Sequence, residues 1–173
     1  MDDRSVVAAQ IGREPRSRVE VAARCSLGLP VVTVVPPILD DRTPFPTTYW
    51  LGCPLAVRRI SRLESSGAIA ELDERVATDE TFAARLEATH RRYVRDREAM
   101  IPPDHDGPAP IGGVGGSHGG VKCLHAHYAD HAAGNDNPVG AWVAERIGTI
   151  ACSIPCVVDD GTVVANPAWR EPR

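Results

Sequence analysis

The chain has 173 residues, 43% hydrophobic and 24% charged, with a formal net charge of −4. That length suits one domain with a sizeable core and excludes two large ones. The apolar fraction excludes a disordered chain, and no apolar run approaches the roughly 18 residues of a membrane helix. The acidic balance argues against a nucleic-acid partner held by bulk positive charge.

Taken in chain order, residues 3–12 read as a short helix with Val6, Val7 and Ile11 on one side and Gly12 as its stop. Val19–Ala23 alternates weakly, and Cys25-Ser26-Leu27-Gly28 has the composition of a turn. The β-branched run Pro30–Val35 predicts a strand, and Thr47–Leu51 a third strand ending at Gly52-Cys53-Pro54. Pro54 suits the first turn of a helix, whose stripe of Leu55, Ile60 and Leu63 closes at Gly67. Ile69–Val76 predicts a further helix. A long one over residues 79–100 follows, with Thr78 as its N-cap and Phe82, Leu86, Thr89 and Tyr93 as its inner face.

Between Pro102 and Gly120 the composition turns to proline and glycine, and no regular element fits. Val121–Ala133 then predicts a helix, and Asn137-Pro138 opens another, with Val139, Trp142, Val143 and Ile147 inward. Cys156–Val164 around Asp159-Asp160-Gly161 predicts a hairpin. The expected architecture is a single α+β domain over residues 1–165: a small, mainly antiparallel sheet packed with several helices, plus the long Gly-rich loop. Residues 166–173 read as a loose tail.

No basic patch precedes an apolar stretch at the N-terminus, so a cytoplasmic location is expected. In that compartment thiols stay reduced, and the five cysteines, Cys25, Cys53, Cys123, Cys152 and Cys156, become packing residues, nucleophiles or metal ligands. The densest chemistry lies in Cys123-Leu124-His125-Ala126-His127-Tyr128-Ala129-Asp130-His131. On a helix Cys123, His127 and His131 share a stripe, and His125 stands about 200° from His127. In an extended segment Cys123, His125 and His127 share a face instead. The spacing leaves both ligand sets open, and the apolar positions Val121, Leu124, Tyr128 and Ala132 favour the helix. At its N-terminus, beside Lys122, Cys123 would be favoured as thiolate, the form that binds metals and attacks electrophiles.

Other motifs are weaker. Cys152-x-x-x-Cys156 falls short of a zinc knuckle. The glycine run lacks the Gly-Lys-Ser/Thr ending of a P-loop and the third glycine of a dinucleotide fold, which leaves it as a lid or an anion-binding loop. Arg91, Arg92, Arg95 and Arg97, interrupted by acids, read as a solvated helix face.

Gln10-Ile11-Gly12-Arg13, Arg24-Cys25, Pro44-Phe45-Pro46-Thr47 with Trp50-Leu51, Cys53-Pro54, Lys122–His127 and Asn137-Pro138-Val139-Gly140 together resemble DUF501, an uncharacterised bacterial family, from about residue 10 to 157. The resemblance implies cysteines matching Cys25, Cys53 and Cys123. It assigns no activity. The combined expectation is a zinc or iron–sulfur protein whose ligands come from Cys25, Cys53, Cys123, His125, His127 and Cys156. Two alternatives stand beside it. One is a thiol enzyme acting on a small, perhaps phosphorylated substrate, with Cys123 as nucleophile and His118 or His127 as base. The other is an interaction module whose cysteines only pack.

Overall fold

The predicted helices and strands form close to where the residue pattern puts them, apart from the start of the helix read over Val121–Ala133. The computed structural model describes residues 1–172. Helix α1 (Asp3–Ile11) starts at Asp2, whose carboxylate accepts from the Ser5 amide, and stops at Gly12 with φ of 70°. Strands β1 (Glu20–Arg24), β2 (Pro30–Val34) and β3 (Tyr49–Leu51) form an antiparallel sheet in that order. The turn between β1 and β2 is closed by Cys25 N–H donating to Leu29 O at 2.9 Å, with Gly28 supplying a φ of 75°. Central strand β2 is covered on both faces, as its unbroken β-branched run requires.

Helices α2 (Pro54–Ser65), α3 (Ala68–Thr78) and α4 (Glu80–Glu98) follow, then α5 (Leu124–Ala132) and α6 (Pro138–Ile147). The main core lies between the sheet and α2, α3, α5 and α6, with the start of α4 packed against it. Leu55, Ile60, Leu72, Leu124, Val139 and Val143 are fully buried there, each worth about 1.5–3 kcal/mol by removal from water. The final hairpin, β4 (Val157–Asp159) with β5 (Val163–Ala165), packs on α1 through Val157, Val6 and Leu29. Among the described residues, no helix is long and apolar enough to cross a membrane.

Three local expectations need correcting. The α4 N-cap is Asp79, not Thr78: its carboxylate accepts from Phe82 N–H at 3.0 Å. The arginine face of α4 is not wholly solvated, because Arg97 is 1% exposed and donates to the carbonyls of Pro46 and Pro110, both at 3.2 Å. Nor does the glycine run hang free. Between Glu98 and Leu124 only a 3-10 turn, Val114–Gly116, forms, but His90 of α4 clamps it. Val114 N–H donates to His90 Nδ1 at 3.1 Å, so Nε2 carries the proton donated to Gly120 O at 3.2 Å. The clamp is tight enough that a Cβ on Gly113 would sit 2.3 Å from His90 Nδ1. Two side chains before the C-terminus make contacts with the body of the fold. Trp169 joins the main core, and Glu171 pairs with Arg59 and Arg62 of α2.

Candidate metal centre

Helix α5 begins one residue after Cys123, which is extended at φ −148° and ψ 114°. The 100° helical step therefore does not apply between Cys123 and His125, and the two side chains meet on one side. Facing them is a stripe of α2 at helical spacing: Val57, Ser61 and Glu64. Glu64 Oε1 accepts from Leu124 N–H at 2.8 Å, capping α5 in place of a side chain from its own sequence. The same oxygen lies 3.3 Å from His125 Nδ1. On the other edge of the ring, Nε2 lies 3.2 Å from Val57 O and 3.3 Å from Ser61 Oγ. A carbonyl only accepts, so Nε2 holds a proton and Nδ1 is turned to Glu64 and Cys123.

The donor atoms of Glu64, Cys123 and His125 all lie within 4.8 Å of one another, and among the described residues they are the one such group of three. Burial alone would lower the His125 pKa. The polar interaction with Cys123, the Glu64 charge, the Cys123 charge and the Val57 carbonyl outweigh it and leave the imidazole above its ordinary value. Beside the group opens a cavity of about 530 Å³, lined by Cys123 and His125 together with Gln10, Tyr49, Trp50 and Arg58. That volume is in the range of small-molecule sites. Gly115, at φ 63°, passes close to the Cys123 side chain, where an added Cβ would meet Cys123 Cβ at 3.4 Å.

The six residues expected to gather lie in three places. Cys123 and His125 are in the group just described. Cys25, Cys53 and Cys156 line a second, much smaller cavity, and Cys152 is there with them. Burial is the main influence raising the Cys53 and Cys156 thiols. His127 is in neither place. It is fully buried, with Nδ1 3.1 Å from Asn137 Oδ1, and its ring stands edge-on to His90 at 5.7 Å. Burial pushes its pKa down to about 3. Asn137 also caps α6 at Gly140 N–H and donates to buried Asp130, which Arg92 pairs. His127 thus belongs to a polar network joining α4, α5 and α6, on the side of α5 away from His125, as the helical separation of the two requires.

The imidazole beside Cys123 is His125, whereas His118 is exposed and His127 is turned away. The position an anion would take at the α5 N-terminus is filled by the Glu64 carboxylate. Glu64 is the residue sequence reasoning missed. Its spacing with Val57 and Ser61 is visible on α2, but nothing local says that α2 faces α5.

The sequence model of the DUF501 family, described as a protein of unknown function, matches residues 21–145. The chain belongs to the DUF501 family. The match is narrower than the resemblance in the residues, and it contains the whole Glu64–Cys123–His125 group. Of the four cysteines at the smaller cavity, the DUF501 region holds Cys25 and Cys53 and stops short of Cys152 and Cys156. Comparison with curated proteins and with solved structures finds no match.

Proposed function

We propose that Glu64, Cys123 and His125 hold one zinc ion whose fourth position opens on the 530 Å³ cavity, so that the protein binds a small ligand at the metal. The observation that carries this reading is the approach of three different donor types to within 4.8 Å, with the second nitrogen of His125 tied to the Val57 carbonyl. A metal-bound histidine is commonly held this way, its far N–H fixed by a backbone carbonyl. One thiolate, one imidazole and one carboxylate suit zinc, and three protein ligands with an open position mark the exchangeable kind of zinc site. A single cysteine does not suit an iron–sulfur cluster at this place.

The test is zinc content after purification without chelators, compared between the natural chain and a Cys123→Ala/His125→Ala double variant. Loss of one zinc per chain is expected in the variant. An unchanged zinc content in a folded variant overturns the assignment.

A second reading rests on the same geometry. Cys123 beside an imidazole of raised pKa, oriented by Glu64, is also the arrangement of a thiol nucleophile with its base. Metal-free protein separates the two. Rapid alkylation of Cys123 alone that zinc does not slow favours the nucleophile; protection by stoichiometric zinc favours the metal site.

A further inference from the structure

Four of the five cysteines face a single cavity of about 10 Å³, roughly the room for one water-sized sphere. They arrive from three regions of the chain: Cys25 from the β1–β2 turn, Cys53 from the end of β3, and Cys152 and Cys156 from the irregular segment before β4. No charged side chain lines this cavity. The rest of its wall is apolar apart from Gln10 and Trp169.

The groups around the sulfurs are hydrogen-bond donors. Gln10 Nε2 points at Cys156 Sγ from 3.6 Å. Cys53 is the N-cap residue of α2, whose first-turn amides receive no side-chain cap hydrogen bond. Trp169 is 8% exposed, lines the cavity, and its indole N–H has no acceptor among the described residues. A buried donor without an acceptor is destabilising until something accepts from it. A sulfur carrying negative charge is the acceptor this wall is equipped to serve.

We infer that Cys25, Cys53, Cys152 and Cys156 form a tetrathiolate site for a second zinc ion, distinct from the group on α5. The small volume fits one ion and not a four-iron cluster. Zinc binds as the four S–H protons leave, giving a centre of charge −2. Gln10 and Trp169 bring donors to the wall around that charge, and no cation lines it. Among the described residues, no three of these sulfurs yet lie within 4.8 Å of one another, so binding draws them inward to Zn–S bonds of about 2.3 Å. Cys152 and Cys156, on backbone without helix or strand, are the pair able to move. The ion would then join the β1–β2 turn, the start of α2 and the segment leading into the C-terminal hairpin.

The experiment uses a Glu64→Ala/Cys123→Ser/His125→Ala variant, which lacks the first group and retains only the four thiols in question. It should keep one zinc per chain. A thiol-specific disulfide reagent should count no fast-reacting thiols while zinc is present, and four after chelation. Adding Cys152→Ser should abolish zinc retention, and Trp169→Phe should weaken it about tenfold, as loss of an outer donor commonly does. Four reactive thiols in the presence of zinc overturn the inference. So does a disulfide found by mass spectrometry in protein kept under reductant, or bound iron with broad visible absorption. If the triple variant does not fold, Cys152→Ser in the natural chain replaces it. That change should remove one zinc per chain, and an unchanged content overturns the site.

Discussion

The two sulfur-bearing regions differ in donor type, enclosure and readiness. On α5, a carboxylate, a thiol and an imidazole already stand within 4.8 Å of one another and border a cavity of about 530 Å³. Near the C-terminal hairpin, four thiols surround about 10 Å³ and stand farther apart. The contrast has a physical origin. The first group is positioned by packed helices and by a carboxylate that α5 needs as its cap, so it exists without an ion. The second includes two thiols, Cys152 and Cys156, on backbone without helix or strand, so nothing in the packing fixes their distance from Cys25 and Cys53. An open, ready group suits ligand exchange, and a closed, unfinished one suits cross-linking.

The contrast is broken most directly by chelation. A ligand at a thousand times its dissociation constant stabilises a fold by about 4 kcal/mol, and in a chain this long each kcal/mol moves Tm by about 2–4 °C. Stripping zinc from the Glu64→Ala/Cys123→Ser/His125→Ala variant should therefore lower Tm by roughly 8–16 °C, measured by calorimetry. No shift would put the two regions on equal terms.

Gly113→Ala should perturb the α5 group alone. The new Cβ would fall 2.3 Å from His90 Nδ1 and release the segment that passes Cys123. Zinc affinity at the α5 group should fall about tenfold, within the range for lost outer support, with the four-thiol count unchanged. Equal losses at both places would show that the glycine segment is not specific to the first.

Stability should also fall with acid through His127. His127 is held at about 3 in the folded protein against about 6.5 when unfolded. The unfolded chain then binds the extra proton, so this contribution to stability is intact above about pH 6.5 and is lost progressively down to about 3. Urea unfolding of metal-free protein should show that slope, and His127→Gln should flatten it. Ser61→Ala should have the smallest effect. Val57 O still fixes His125 Nε2, so zinc affinity at the first group should change less than about threefold, a free-energy change under about 1 kcal/mol.

Much of the fold was legible because its signals are local. Asn137-Pro138 announces α6, Asp159-Asp160-Gly161 announces the hairpin, and the spacing of Phe82, Leu86 and Tyr93 announces α4. The helical separation of His125 and His127 is local too, and it puts one ring toward α2 and the other toward α4 and α6. What was illegible depends on contacts distant in sequence. Arg97 reads as a surface residue until the Pro46 and Pro110 carbonyls are seen to need its donors. Glu64 reads as a surface acid until α5 is seen to start against it. The apolar pattern puts Cys123 inside a helix, whereas α5 starts one residue after it, and that single step decides which imidazole it meets.

Trp50 lines the larger cavity and Trp169 the smaller, while Trp142 lies in the core. Each region therefore carries its own natural emitter. With Trp142→Phe as background, Trp50→Phe and Trp169→Phe chains would let intrinsic fluorescence follow the filling of one cavity independently of the other, without an added label.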